Sequence, residues 1–312
     1  MGSGLLLAGY VFGPAELSSA PRRPEGMRIP TLLTAAGFLL AGPARTLAQT
    51  VGPNVDNADT PFIRNIRPDR PGQTVTTNIL RPGQVQLEVG SQRQLNPAAG
   101  TSKAFSRGLL RVGFWGLMEL RVEQDYRHAP EAGNSTFIPE VGTVPAPAVG
   151  PFGFAPLTVG AKMLASSNQD NRSQVAVLAE MTLRNGDASY TGKVYEPAAR
   201  LLISQQLGQR FGLEANLGFR QRGFKAADTS RGQYVGTLAL NGPLGEHFGF
   251  FAETYTTWQR TTGWKPGLTS GLYWRPLANL RLDITAGNGP GTASYAPTGS
   301  YLGAGVSVRL PR

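Results

Sequence analysis

The sequence is built from short runs in which apolar and polar residues alternate. In the stretch 280–286, aliphatic residues occupy every second position, and Arg281 and Asp283 lie between them. A β-strand points successive side chains to opposite faces, so this pattern predicts a strand with one apolar and one polar face. The stretches 268–275 and 301–310 alternate in the same way. The C-terminal quarter of the chain therefore predicts three consecutive strands.

The same alternation recurs along most of the chain, and it predicts about twelve strands in total. In the third of them, acidic and basic residues share one face, while the other face is mainly apolar. The first nine predicted strands span 84–89, 105–112, 117–127, 157–167, 174–184, 198–206, 211–222, 234–241 and 247–260.

The connections between these strands alternate in length. Tight turns at 113–116, 169–171, 207–210, 242–246 and 276–279 are separated mostly by longer links, with 261–263 as the one short exception. Bacterial outer-membrane barrels have short periplasmic turns and longer external loops. We therefore predict an all-β fold, an antiparallel transmembrane β-barrel of about 12 strands (10–14).

Aromatic residues, among them Phe105 and Tyr301, lie near the ends of predicted strands. One interpretation is that they form girdles at the two membrane interfaces, and the other is that they are ordinary strand-end aromatic residues.

Composition excludes several classes of function. The chain has no cysteine and only two histidines, His128 and His247, so we expect no metal site and no cofactor. The net charge of +10 comes from basic residues that are scattered singly, which argues against nucleic acid as a partner. A lone histidine is more often a surface residue than a catalytic one, so we expect no enzyme, although a barrel hydrolase is the alternative that His128 and His247 leave open.

The N-terminal part of the chain predicts export. Residues 27–48 begin with one basic residue, Arg28, before a short apolar run, and they end with small residues before Gln49, which is typical of a signal peptide. Residues 1–26 are interpreted as an upstream extension from a misassigned start codon. Residues 49–82 form a Pro-rich extended segment, and residues 83–312 form the barrel. Export and a barrel together predict the outer membrane of a Gram-negative cell.

The polar faces of the strands predict the lining of the lumen. One interpretation is a mixed-charge pore that selects solutes by size and field, and the other is an ion-pair lattice that fills a narrow barrel. The predicted lining residues are Glu88, Arg111, Glu119, Arg121, Glu123, Asp125, Lys162, Glu180, Arg184, Arg200, Glu214, Arg220, Glu253, Arg275, Asp283 and Arg309.

Two further segments are candidates for controlling access. Asp69 and Arg70 precede the barrel, and we predict that they enter the lumen as an N-terminal plug paired to wall charges; a flexible periplasmic tail is the alternative. The Pro-rich stretch 128–156 is predicted to be a long external loop, either a constriction at the mouth or disordered.

Two motifs carry a resemblance to a known family. The run 68–74 (PDRPGQT), followed by 80–88 (LRPGQVQLE), resembles the opening of the meta-pathway of phenol degradation family of outer-membrane transporters. The stretches 266–275, 280–287 and 303–309 are similar to the family's last three strands. The resemblance implies an outer-membrane channel associated with aromatic catabolism.

These observations lead to one preferred function and one alternative. We expect passive transport of small, hydrophobic or aromatic, solutes through an outer-membrane β-barrel. The alternative is a closed structural or surface-binding barrel without transport. The expected partners are outer-membrane lipid and lipopolysaccharide, the barrel-insertion machinery and a small-molecule solute.

Overall fold

The computed structural model describes residues 66–95, 104–128, 136–138, 142–144, 152–168, 172–187, 195–221, 232–260, 262–290 and 299–310. The predicted signal peptide, the upstream extension and residues 49–65 lie outside these ranges, as does most of the predicted loop 128–156. Within the described ranges, no helix has the length and apolar character needed to cross a membrane.

Fifteen strands are found in the described residues. They are β1 (Val85–Gln94), β2 (Ala104–Trp115), β3 (Met118–His128), β4 (Thr136–Ile138), β5 (Gly142–Val144), β6 (Phe152–Phe154), β7 (Thr158–Ser167), β8 (Ser173–Thr182), β9 (Glu196–Leu207), β10 (Phe211–Gln221), β11 (Gly232–Pro243), β12 (Phe248–Gln259), β13 (Gly263–Leu277), β14 (Leu280–Gly289) and β15 (Gly299–Leu310).

The twelve long strands close into one antiparallel barrel. Each long strand pairs with the next along the chain, and β15 pairs with β1 over ten residues to complete the ring. This confirms the prediction of a twelve-stranded antiparallel β-barrel. Closure matters in a membrane because it leaves no sheet edge with unpaired backbone groups in hydrocarbon.

Three short strands lie outside the ring, within the stretch predicted as a loop. The strand β6 pairs with the end of β3, where Tyr126 faces Phe154, and β4 pairs only with β5. Their three-residue lengths are too short to give a period-2 signal, so the alternation pattern did not predict them.

Alternation along each strand separates a lipid-facing surface from the interior. On β1, the side chains of Leu87 and Val89 are 45% and 40% exposed, whereas Glu88 between them is fully buried. Apolar residues thus point outward and polar residues inward, as expected for a barrel in a membrane. Phe105 and Tyr301 are exceptions to the predicted girdles, because both are buried, 5% and 2% exposed.

The barrel has two different ends. We call one end of the barrel the turn end. It carries the connections β2–β3, β9–β10, β11–β12 and β13–β14, together with the start of β1 and the end of β15. The opposite end is called the loop end. In outer-membrane barrels the short turns lie in the periplasm.

Residues 66–82, called the inner segment, run inside the ring before β1 begins. The chain leaves the interior through a turn at Gly83, whose φ of 80° suits glycine, and the Gly83 amide donates to the Gly113 carbonyl at 2.8 Å. Val75 and Ile79 pack on an apolar patch of the inner wall made by Leu164, Ala176, Leu178 and Leu202. The inner segment is therefore part of the core of the barrel.

Candidate functional site

Most residues predicted to line the lumen do lie on the inward faces of the strands. Arg184 differs, because it is exposed two residues beyond the end of β8, with its guanidinium 5.9 Å from the centre of the Tyr195 ring. Glu88, Arg111, Glu119, Arg121, Asp125, Lys162, Glu214, Glu253 and Asp283 are buried, and Glu123, Glu180, Arg200, Arg220, Arg275 and Arg309 are partly buried.

Asp69 of the inner segment is surrounded by three cations from the barrel wall. Its carboxylate contacts Arg121, and it lies 3.1 Å from Lys162 Nζ and 3.6 Å from Arg111 Nε. The backbone amide and hydroxyl of Thr76 donate to Oδ1 at 3.0 and 2.8 Å. Burial alone raises the pKa of Asp69, but the three cations outweigh it and hold that pKa below its usual range.

Arg111 connects three strands to the inner segment. Its Nε and Nη2 donate to the two carboxylate oxygens of Glu119 at 2.9 and 2.8 Å, and its Nη1 donates to Glu88 at 3.1 Å. The same guanidinium donates to the carbonyl oxygens of Arg67 at 3.1 Å and Asn78 at 2.8 Å. A buried ion pair is tolerated when hydrogen bonds satisfy its remaining atoms, and Arg111 meets that condition.

The guanidinium of Arg70 lies in a notch on the wall. Its Nη1 donates to the carbonyl of Val89 at 2.9 Å and lies 3.7 Å from Asp283 Oδ2. Gly90 and Gly305, which face each other across β1 and β15, form the floor of the notch. A Cβ atom at either glycine would overlap the guanidinium, so the absence of a side chain there creates the space.

Polar side chains on the far wall bind the middle of the inner segment. Glu253 accepts hydrogen bonds from the Gln73 amide at 2.8 and 3.0 Å and from the Thr74 hydroxyl at 2.7 Å. Asn216 accepts from the Val75 amide at 2.7 Å and donates to its carbonyl at 2.9 Å. Side chains of the wall thus satisfy backbone hydrogen-bonding groups of the inner segment, as the backbone of a neighbouring strand would do in a sheet.

Cavities border the inner segment within the part of the barrel that the structure describes. One of about 30 Å³ lies toward the loop end beside Arg107, Arg121 and Glu180, and one of about 60 Å³ lies toward the turn end beside Arg281. Both exceed the roughly 10–15 Å³ that a cavity needs to hold a water molecule, so both have room for water. At the turn end itself, a third cavity of about 920 Å³ is wide enough for a small organic molecule.

Several residues that contact the inner segment were not predicted to do so. Asn216, Gln174 and Thr237 all have inward side chains that bind it, and Gly90 and Gly305 provide space for it. Neutral polar and glycine positions carry little signal in an alternation pattern, because they occur on either face of a strand.

The groups that metal binding or hydrolysis would need were also sought among the described residues. They contain no group of three or more His, Asp or Glu side chains placed to hold a metal ion. His247 is exposed near the turn end, with its Nδ1 3.1 Å from the Arg275 carbonyl. The side chain of His128 lies outside the described residues.

Comparison with solved structures identifies the fold. An outer membrane channel from Pseudomonas putida F1 is similar at a TM-score of 0.54 and 12% sequence identity, over 77% of this chain and 99% of the other. The NanC porin (TM-score 0.48, 10% identity, 72% and 100% coverage) and a KdgM porin in complex with disordered oligogalacturonate (0.45, 11%, 72% and 98%) are also similar. The fold is that of an outer-membrane β-barrel, and the outer membrane is where this protein is located.

Sequence comparison gives the family. The search of curated proteins found no match. The model of a family described as "Putative MetA-pathway of phenol degradation" matches residues 68–310, from the beginning of the PDRPGQT motif to the end of β15. That match covers well over half of the chain, and the chain therefore belongs to this family of outer-membrane β-barrel proteins.

Proposed function

We propose that the protein is a passive channel for small solutes, in which the inner segment limits passage. The observation that carries this proposal is the composition of the interior. Charged and polar side chains line the wall, and the middle of the barrel is filled by a segment that non-covalent contacts hold in place. A channel blocked in this way opens by movement of the inner segment without any change in the strands.

Small aromatic compounds such as phenols are the proposed solutes. The family description supports this class, since it refers to phenol degradation. A phenol combines a small apolar ring with a hydroxyl group that the polar lining would hydrogen-bond. The similarity to the Pseudomonas putida channel supports transport over catalysis as the role of the barrel.

A reversible lock on the inner segment tests the proposal. Thr74 and Thr237 have their hydroxyl oxygens 2.8 Å apart, and the chain has no native cysteine, so Thr74→Cys with Thr237→Cys should form one defined disulfide. We expect discrete conductance steps for the reduced protein in planar lipid bilayers and a severalfold lower open probability after oxidation. Each reduced sample is the control for its oxidised form. Equal conductance in both forms would contradict a limiting role for the inner segment.

The alternative is a closed structural barrel. The small cavities beside the inner segment and the dense contacts around Asp69 favour it. It predicts a folded barrel without conductance steps in either redox state. It also predicts that cells lacking the protein take up radiolabelled phenol as fast as cells that express it, whereas a channel predicts slower uptake in its absence.

A further inference from the structure

A groove lies on the outer face of the barrel, where the wall contacts lipid. Its floor is a row of small side chains on three adjacent strands, since Ala252 pairs with Ser270 and Ser270 pairs with Ala286. All three are exposed and point outward, and larger leucine side chains on the same face border them. The open space has a volume of about 730 Å³, and its apolar walls include Leu238, Leu240 and Leu268.

Charged and hydroxyl-bearing residues next to the groove face the interior instead. Glu253 is 4% exposed, and its carboxylate accepts hydrogen bonds from the inner segment. The hydroxyl groups of Thr269 and Tyr301 are also inside the barrel, 2.7 Å apart. The outer surface that remains is mainly aliphatic, so the groove fits a hydrocarbon chain better than a polar solute.

Two tryptophans on one strand place the groove within the membrane. Trp264 and Trp274 are both exposed on β13, and the groove residues Leu268 and Ser270 lie between them. A strand rises about 3.4 Å per residue and tilts by about 40°, so the distance between the tryptophans along the membrane normal is roughly 25 Å, the height of the apolar band of a barrel.

The groove extends toward the loop end. Asn288 and Ser300 also line it, and each is one residue from the loop end of its strand. Because the short turns of outer-membrane barrels lie in the periplasm, the loop end faces the cell exterior. The groove therefore runs from the middle of the membrane into the outer leaflet.

Aromatic and basic side chains lie beside the groove at this end. The ring centres of Trp258 and Trp264 are 6.3 Å apart, and each tryptophan is four residues along its strand from a residue that lines the groove. Leu95 lines the groove as well, and Arg93 is exposed on the same outward face, two residues earlier. Two residues of a strand span about 7 Å, which an arginine side chain can bridge. Among the residues that the structure describes, none forms an ion pair with Arg93, so its guanidinium is available to an anion.

We propose that the groove holds an acyl chain of lipid A, the phosphorylated glycolipid part of lipopolysaccharide, and that Arg93 binds one of its phosphates. The acyl chain matches the aliphatic surface, the sugars lie at the level of the tryptophans, and phosphate is an anion that arginine donors match well. Lipid A is also the lipid of the leaflet that the groove reaches. The site is on the lipid side of the wall, so it does not depend on transport through the lumen.

Filling the floor of the groove tests the position of the acyl chain. The full chain, folded in detergent, is titrated with diphosphoryl lipid A, and native mass spectrometry measures the population of the one-to-one complex. We expect Ala286→Phe to weaken binding at least tenfold, because the ring occupies the space of the chain. Ala179→Phe makes the same change at an exposed position on β8, on the opposite side of the ring, and should leave affinity unchanged.

Removing the charge of Arg93 tests the position of the phosphate. We expect Arg93→Gln to weaken binding of lipid A about threefold, which is the scale of an exposed ion pair. Arg184→Gln makes the same change at an exposed position beyond β8 and should have no effect. Lipid A without its phosphates should bind wild type and Arg93→Gln equally.

Three outcomes would overturn the proposal. The first is equal affinity of wild type and Ala286→Phe for lipid A, with both proteins folded as judged by heat-modifiable migration in a gel. The second is equal affinity of wild type and Arg93→Gln for diphosphoryl lipid A. The third is dioleoyl phosphatidylglycerol binding as tightly as lipid A with the same loss in Ala286→Phe, which would make the groove a site for any bilayer lipid. If Ala286→Phe does not fold, Ser270→Leu fills the same floor and is measured against the same criteria.

Discussion

Replacing Asp69 with Asn measures what holds the inner segment in the barrel. Asn keeps an oxygen that can accept the two hydrogen bonds from Thr76, at 3.0 and 2.8 Å in the wild type. It removes the negative charge that faces Arg111, Arg121 and Lys162. The three cations then remain buried with one counter-charge fewer while the inner segment is docked.

The magnitude follows from the burial of these groups. Removing one partner of a buried ion pair typically costs about 3–5 kcal/mol, and we take the lower value because the hydrogen bonds to Thr76 are retained. This cost applies only to the docked state, since water solvates the wall charges once the segment leaves. At about 1.4 kcal/mol per factor of ten, the undocked population should increase roughly a hundredfold.

Cysteine labelling detects the undocked state. Thr77 is 2% exposed and contacts the inner wall, and the chain has no other cysteine to react. With Thr77→Cys as the common background, we expect Asp69→Asn to react with a maleimide at least ten times faster than the background protein. Asp187→Asn, at an exposed site near the loop end, makes the same chemical change and should have no effect.

One result would refute the reasoning. If the Asp69→Asn protein is folded, as judged by heat-modifiable migration in a gel, and yet the introduced thiol reacts at the background rate, the charge of Asp69 does not hold the inner segment. The backbone contacts and apolar packing of the segment would then have to supply the stabilisation.

Two further substitutions test other anchors of the inner segment with the same labelling assay. Gly305→Ala places a methyl group in the space of the Arg70 guanidinium, so we expect faster labelling, whereas Gly108→Ala, where the nearest atom to the new Cβ is 3.6 Å away, should leave the rate unchanged. Asn216→Ala removes two hydrogen bonds to the backbone of Val75, at 2.7 and 2.9 Å, and should shift the docking equilibrium by about 1–3 kcal/mol. If the Asn216→Ala protein is labelled at the same rate as the background protein, water replaces the amide group without loss of docking free energy.

The twelve-stranded barrel could be predicted from the sequence because one face of each strand contacts lipid and the other face contacts the polar interior. Lipid outside and a polar interior impose a period of two on every strand, as Leu87, Glu88 and Val89 illustrate. The same rule assigned the charged residues of the interior, such as Glu119 and Lys162, to the inward face. The rule failed for Arg184, which was assigned to the lumen but lies beyond the end of β8. The buried positions of Phe105 and Tyr301 contradict the girdle interpretation for these two residues, but they agree with alternation.

The contacts of the inner segment could not be predicted in the same way. The notch for Arg70 exists because Gly90 on the first strand faces Gly305 on the last, and this register is a property of the closed ring. The role of Asn216 in binding the inner segment becomes evident only from the structure, in which its side chain hydrogen-bonds the backbone of Val75. Alternation assigns each residue to a face of its strand, but it does not determine the register between neighbouring strands.

The notch for Arg70 also has a consequence for the order of assembly. Its two glycines belong to strands at opposite ends of the barrel sequence, so the notch does not exist until β15 pairs with β1. Glu253 is separated from Gln73 by 180 residues, and its contact likewise needs nearly the whole ring. The complete set of contacts of the inner segment can therefore form only after the seam between β1 and β15 has closed.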